Sequence, residues 1–153
     1  MLSRILGISQ APMSLDEFWE IFSLYGKDEK EAKRVLKGRK KAYSKHYNEC
    51  LLKAHSWDLW GAAYVIYGGC SDDSFTDFKG GLLLQGREVF EKAIADPESL
   101  MELSDRTLKD LMNQEFGSSG EIEPSGEPWE ENEEDLKARY PRLWARFGET
   151  PIG

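Results

Sequence analysis

The stretch that decides the fold runs from Trp57 to Phe78 and reads WDLWGAAYVIYGGCSDDSFTDF. Its first half, Trp57 to Tyr67, follows a serine suited to capping a helix and is apolar around most of its circumference. Gly68-Gly69 ends this helix, because glycine enters the left-handed region without a steric penalty. Ser71 then begins another helix, with two aspartates in its first turn. The stretch therefore predicts a central helix packed on several sides, a tight turn and a further helix.

Helical patterns also precede this stretch. Ser14 to Glu17 has the spacing of a capping box and begins a helix that we expect to reach about Tyr25. The next helical pattern extends from about Asp28 to Ala54, with apolar residues at three- and four-residue intervals. Gly38 is the expected weak point or break in it.

Further helices follow the stretch. We expect Gly80, Gly81 and Gly86 to loosen the chain. The helices predicted beyond them run from Arg87 to Ala95, from Pro97 to Leu103 and from Ser104 to about Phe116. No run shows the sustained period-two alternation of a strand. The sequence thus predicts an all-α fold, a compact bundle of about six to eight helices.

The length of 153 residues allows one hydrophobic core and is too short for two independent ones. We expect a lead segment at 1–13, a helical core domain at 14–116, an acidic linker rich in Gly, Pro and Ser at 117–130, and a helical segment at 131–153. An apolar stripe on the last segment must bury itself, either on its own domain or on a partner. The stripe contains Leu136, Tyr140, Leu143, Trp144 and Phe147.

The charge is unevenly distributed. The formal net charge of -8 argues against nucleic-acid binding by the chain as a whole. Between Lys27 and Lys45 there are nine basic residues and three acidic ones, whereas Glu121 to Asp135 has eight acidic residues and no basic one. A solvated helix face is the usual meaning of such a basic run. The other interpretation is a nucleic-acid contact through Lys30 to Lys45, with a steep salt dependence.

The sequence also indicates where the protein acts. Its N-terminus, MLSRILGISQAPM, lacks the long apolar region of a secretory signal, and no window approaches the roughly 20 apolar residues of a spanning helix. In such a chain Cys50 and Cys70 are expected to be reduced thiols. We therefore expect a soluble cytoplasmic protein with no membrane partner.

The aspartates after the glycine turn are the sharpest candidates for chemistry. Asp73 and Asp77 lie one helical turn apart, and with their neighbours they can offer oxygen ligands to a cation such as Mg²⁺. The alternative is that they cap the helix and pair with Lys79 or Arg87. Asp72 and Asp73 are the candidates for catalysis, and with Asp77 for metal binding, although we expect no bound cofactor. The predicted binding residues are Asp58, Trp57, Trp60, Tyr64, Asp72, Asp73, Asp77 and Arg87.

Soft metal ligands and nucleophiles are few. A structural zinc site normally shows close ligand pairs such as CxxC. The candidate ligands in this sequence lack that spacing, and they are His46, Cys50, His55 and Cys70. Cys70 just before a helix N-terminus can be a nucleophile, or a buried thiol that fills the tight turn. The motifs GxxxxGK[ST], GxGxxG, HExxH and GxSxG are absent from the sequence.

The block WDLWGAAYVIYGGCSDDSFTDFKGGLLLQGREVFEKAIADPESL resembles the signature of a bacterial domain-of-unknown-function family, DUF4240. SLDEFWEIF resembles the opening helix of that family and GEPWEENEEDLKARYPRLWARFG its closing segment, so the resemblance covers about Ser14 to Gly148. Lys79 stands where the family pattern usually has Arg, and Gly81 where it often has Trp. The resemblance implies no activity, substrate or cofactor.

The leading hypothesis is a non-enzymatic protein-binding or regulatory module, antitoxin-like or immunity-like, whose partner is another protein. It depends on the missing catalytic motifs, the acidic composition and the tethered aromatic segment. The alternative is a small metal-assisted hydrolase or transferase that uses Asp58 and the Asp72–Asp73 turn.

Overall fold

The computed structural model describes residues 12–113 and 122–152. The chain divides into two compact units, Met1–Leu52 and Lys53–Gly153. The predicted all-α class is confirmed: within the described ranges the only pairing of extended backbone is an isolated parallel bridge between Ser56 and Ser125. No helix in those ranges is long and apolar enough to cross a membrane. Phe116 and the first part of the predicted linker lie outside the described residues.

Three helices begin in the first unit: α1 (Leu15–Lys27), α2 (Glu29–Leu36) and α3 (Lys40–Ala54). The predicted capping box is present, because the Glu17 backbone N–H donates to Ser14 Oγ at 3.1 Å and the Ser14 N–H donates to Glu17 Oε1 at 3.3 Å. The break predicted at Gly38 separates α2 from α3, and this glycine has a φ of +81°.

A partly buried ion pair lies beside this break. Arg39, which follows Gly38, is 8% exposed and donates from Nη1 to Glu17 Oε2 at 2.8 Å. The Arg39 guanidinium holds the pKa of Glu17 below its ordinary value. The break thus turns a charged residue inward, toward the capping box of α1.

The second unit has a larger set of helices, several of them short. They are α4 (Trp57–Tyr67), α5 (Asp72–Leu84), α6 (Arg87–Ala95), a 3₁₀ helix (Pro97–Glu102), α7 (Asp105–Leu111), α8 (Glu133–Arg139), α9 (Pro141–Leu143) and a π-helical turn (Trp144–Gly148).

Helix α4 has the predicted bounds and is buried on several sides. Ser56 caps it by accepting the Leu59 N–H at 3.1 Å, and Gly68 ends it in the left-handed conformation at φ +71°. Leu59 and Ile66 are fully buried, and each contributes roughly 2 kcal/mol to stability through the apolar area it removes from water.

The expectation that Gly80 and Gly81 loosen the chain is wrong. Both are buried inside α5. A Cβ atom at Gly81 would overlap the backbone of Leu111, the last residue of α7, so this glycine allows two helices to approach closely. Gly86 does separate helices, at φ +101° before α6.

The C-terminal helices pack within the second unit. Leu136, Leu143 and Phe147 are buried. The Glu98 carboxylate caps α9 from a distance in sequence, since it accepts the backbone N–H of Arg142 at 2.7 Å and that of Leu143 at 3.2 Å. Asp96 pairs with the Arg142 side chain at 3.1 Å, so the two acidic residues of 96–100 anchor the closing segment.

Candidate functional site: an aromatic ladder and an acidic segment

Four aromatic rings form a continuous stack in the second unit, which we call the aromatic ladder: Trp57, Trp60, Phe75 and Phe78. Trp57 and Trp60 lie 5.2 Å apart between centroids and Trp60 and Phe75 5.1 Å, with interplanar angles of 5° and 8°. Phe75 and Phe78 continue the stack at 6.4 Å. Trp57 and Trp60 are spaced by three residues on α4, as are Phe75 and Phe78 on α5, so each of these pairs lies on one helix face. The stack of Trp60 on Phe75 joins the two helices. Each stacked pair adds about 0.5–1.5 kcal/mol beyond its burial.

Trp129 covers the tryptophan end of the ladder. Its ring meets Trp57 and Trp60 edge to face, each at 6.1 Å, and lies 4.8 Å from Tyr64. It is 9% exposed, and its Nε1 has no hydrogen-bond partner among the described residues. A Cβ atom at Gly61 would come within 2.8 Å of Trp129 Cδ1, so α4 needs a glycine at this point.

Trp129 was not among the predicted site residues, because it lies inside the range predicted as linker, 117–130. Its neighbours are turn-forming and acidic residues, which by themselves bury almost nothing. The available signal was the tryptophan itself, a large apolar side chain isolated in a polar stretch. The ladder and Trp129 bring together three residues that were predicted to bind, Trp57, Trp60 and Tyr64.

Residues 122–135, which we call the acidic segment, are fixed to the second unit through their backbone. The Ser125 N–H donates to the His55 carbonyl at 3.0 Å, and the Trp57 N–H donates to the Ser125 carbonyl at 2.9 Å. Arg139 donates to the carbonyls of Glu127 at 3.0 Å and Pro128 at 2.9 Å. Most of the carboxylates stay exposed, namely those of Glu123, Glu127, Glu130, Glu131, Glu133 and Glu134.

A cleft of about 490 Å³ opens beside this segment. Its lining includes four carboxylates and one guanidinium: Asp58, Asp96, Glu98, Glu127 and Arg139. Arg139 already faces Asp58 at 3.8 Å and Asp135 at 3.5 Å. The Tyr140 hydroxyl donates to the Asp58 carbonyl at 2.7 Å, and burial raises the pKa of Tyr140, so the phenol stays protonated. Arg142 pairs with two of the lining carboxylates, Asp96 at 3.1 Å and Glu98 at 3.2 Å. The described lining is acidic, and the cations beside it are already paired within the protein.

Lys79 is buried in the middle of α5, with 6% of its surface exposed. Its Nζ lies 2.7 Å from His55 Nδ1 and 4.7 Å from the centroid of the Phe75 ring. Burial lowers the pKa of Lys79 to about 8. Lys79 thus pairs with an imidazole, whereas the sequence suggested an aspartate partner.

The protonation state of His55 follows from its two partners. An ammonium group only donates hydrogen bonds and a carbonyl oxygen only accepts them. His55 Nδ1 must therefore accept from Lys79, and Nε2–H must donate to the Ile122 carbonyl, which lies 2.7 Å away. The imidazole is neutral in this arrangement and carries its proton on Nε2.

The predicted aspartates lie in different places. Asp72 and Asp73 are exposed in the first turn of α5, where the Asp73 N–H donates to Asp72 Oδ1 at 2.9 Å. Asp77 lines a second cavity of about 430 Å³ together with Tyr67 and Lys109. Asp58 lines the acidic cleft, and Arg87 pairs with Glu91 at 3.2 Å. Across residues 12–113 and 122–152, no three His, Cys, Asp or Glu side chains are grouped to hold one metal ion.

Neither cysteine forms a disulfide bond. Cys70 is half-buried at the glycine turn, where its carbonyl accepts the Trp60 indole N–H at 2.8 Å. Burial raises the pKa of Cys70 to about 12, so its thiol is protonated at neutral pH. The geometry favours the buried thiol over the nucleophile.

Comparison with known protein families gives a match. The family model described as Protein of unknown function (DUF4240) matches residues 13–123, which is more than half of the chain. No curated protein and no solved structure matches the chain. The aromatic ladder lies inside the matched range, whereas Trp129 and Arg139 lie beyond its end.

Proposed function

The chain belongs to the family described as Protein of unknown function (DUF4240), and we propose that it is a non-enzymatic protein-binding module, regulatory and antitoxin-like or immunity-like. Its partner would be a protein with a basic surface. The observation that carries the proposal is the acidic segment, whose backbone is fixed at several points while its carboxylates remain exposed. A surface that is ordered before binding loses less conformational entropy when a partner docks.

The charge of the second unit supports a basic partner. Residues 53–153 contain 21 acidic and 10 basic side chains, a formal net charge of -11. Within the acidic segment there are seven acidic residues and no basic one. A field of one sign attracts an oppositely charged protein and raises its association rate, an effect that weakens as salt is added.

The aromatic side chains supply the apolar part of such an interface. Trp57 and Tyr64 are half-buried and lie on the same helix as Asp58. Tryptophan and tyrosine are enriched in protein interfaces, and a lysine or arginine over an indole face gains about 0.5–2 kcal/mol. The proposed surface therefore combines carboxylates with aromatic rings.

A pull-down from the native host tests this surface with two matched variants. E127Q/E130Q neutralises two exposed carboxylates of the acidic segment, and D72N/D73N neutralises two exposed carboxylates at the start of α5. We expect the unaltered protein to capture a basic protein, E127Q/E130Q to capture clearly less of it, and D72N/D73N to capture as much. Capture lost only in D72N/D73N would place the surface elsewhere. An inert monomer, both in the pull-down and in sizing, would remove the main support for the proposal.

The alternative function is a metal-assisted hydrolase or transferase at Asp58, Asp72, Asp73 and Asp77. Its support is the sequence pattern, since the described carboxylates do not converge on one point. Calorimetric titration of Mg²⁺ and Mn²⁺ into the protein separates the two functions. Metal-dependent heat that disappears in D72N/D73N would favour the enzyme, and no such heat in the unaltered protein would exclude these aspartates as its metal site.

A further inference from the structure

We infer that Lys79 and His55 form a pH-sensitive latch, which holds the acidic segment on the second unit at neutral pH and releases its start in acid. The latch is a property of the fold and is tested without a partner. Its effect on binding rests on the proposed function, because it requires the acidic segment to be the binding surface.

The latch consists of hydrogen bonds that all pass through His55. Its ring accepts from Lys79 and donates to the Ile122 carbonyl, each at 2.7 Å. Its own carbonyl accepts the Ser125 N–H at 3.0 Å. The ring is held in place by Phe75, whose centroid lies 5.9 Å away at an interplanar angle of 25°. A movement of this ring breaks the attachment at Ile122, and the bond from Ser125 to the His55 backbone is then left to hold residues 122–125 by itself.

Acid breaks the arrangement because a protonated imidazole has two donors and no acceptor. The new Nδ1–H would face the Lys79 ammonium at 2.7 Å, which opposes two donors and two positive charges. Lys79 is buried, so water screens this repulsion poorly. The other described charged side chains within three residues of His55 or Ile122 are Lys53, Asp58 and Glu123, and all three are exposed to solvent. The imidazolium relieves the repulsion by turning outward, and it then leaves the Ile122 carbonyl.

Base does not open the latch. Burial lowers the pKa of Lys79 to about 8, so the side chain becomes a neutral amine in mildly alkaline solution. A neutral amine still has N–H groups and continues to donate to His55 Nδ1. The latch therefore opens on the acid side only, because only a protonated imidazole loses its acceptor.

Amide hydrogen exchange of the full chain, measured by NMR at pH 7 and pH 5 and expressed as protection factors, tests the latch. The Ser125 and Trp57 amides exchange when residues 122–125 move away from His55 and Trp57. We expect their protection to fall about tenfold at pH 5, because this opening then breaks one hydrogen bond fewer. The amide of Gly69, which donates to the Tyr64 carbonyl at 2.9 Å, should keep its protection and show that α4 remains folded.

Three variants decide what causes the change. H55Q keeps a donor near the Ile122 carbonyl and does not titrate, and K79M removes the cation, so protection should be independent of pH in both. H46Q removes the only other histidine, which lies in the first unit, and should leave the tenfold change intact. Protection in the unaltered protein that is equal at the two pH values, or a change that persists in H55Q and K79M, would overturn the latch. Loss of partner capture in E127Q/E130Q tests the binding surface separately, because neither glutamate side chain contributes to the latch.

Discussion

The two parts of helix α5 differ in what their charged residues contact. At its start, Asp72 and Asp73 are exposed beside Ser71, which caps the helix by accepting the Ser74 N–H at 3.1 Å. In its middle, Lys79 is buried against His55, 24 residues earlier in the chain. The aspartates satisfy helix-capping rules within one turn, whereas the lysine depends on tertiary packing. An unusual charge is thus better recognised by what surrounds it than by the motif that contains it.

The largest effect is expected in the middle of the helix, from Phe75→Ala. Phe75 is fully buried between Trp60 and Phe78, so its removal leaves a cavity and interrupts the aromatic ladder. The free energy of unfolding should fall by about 3–5 kcal/mol in urea denaturation. Exposed Leu84→Ala on the same helix is the control and should cost less than about 1 kcal/mol. Equal losses in the two variants would show that the ladder contributes nothing beyond helix formation.

Lys79→Met is expected to change how stability depends on pH. The pKa of Lys79 is about 8 in the folded protein and ordinarily 10.5. Below pH 8 Lys79 is protonated in both the folded and the unfolded protein, and burial of its charge lowers the free energy of unfolding by the full amount. Between these pKa values the unfolded state binds more protons, so stability rises with pH, by up to about 3 kcal/mol in total.

This rise should be absent in Lys79→Met, and urea denaturation of both proteins between pH 7 and pH 10 measures it. The difference between the two proteins is the informative quantity, because tyrosines titrate alike in both at the upper end. At pH 7 the gain from removing the charge is offset by an unpaired His55 Nδ1, which costs about 1–3 kcal/mol. Parallel stability curves across this range would mean that Lys79 is charged at no cost.

The sequence predicted the features that are encoded within a few residues. The caps at Ser14, Ser56 and Ser71 and the glycine stop at Gly68 are present, and α4 has its predicted bounds. Each of these features needs only the local backbone and one side chain. That is why they could be recognised without knowledge of the tertiary fold.

The candidate site depends on contacts between distant residues and was predicted only in part. His55 reaches Ile122 across 67 positions, and Trp129 covers the ladder from a stretch that looked like linker. The prediction that Gly81 loosens the chain was wrong for a related reason. Glycine destabilises an isolated helix, but in a packed helix it allows close contact, here with the backbone of Leu111. Only the tertiary fold distinguishes these two uses of glycine.

A smaller effect is expected from Ser71→Ala at the start of α5. The substitution removes the acceptor of the Ser74 N–H and should lower the free energy of unfolding by about 1 kcal/mol. Ser71→Asp restores a capping acceptor and should recover most of the loss. Failure of Ser71→Asp to recover stability would show that the serine acts through something other than the cap.

The smallest effect at physiological salt is expected from Asp72→Asn with Asp73→Asn, and it separates the structural role of the aspartates from a chemical one. Both side chains are exposed at the positive end of the α5 dipole, where each charge contributes about 0.3–1 kcal/mol at low salt. Urea denaturation of D72N/D73N should therefore show a small loss at low ionic strength, and the loss should shrink at 1 M salt, where the Debye length is about 3 Å. A loss of stability well above 2 kcal/mol would mean that these aspartates hold a ligand. A difference in stability between the two proteins that appears only when Mg²⁺ is present would mean the same. In that case the start of α5 would be a site after all, and the contrast with buried Lys79 would no longer hold.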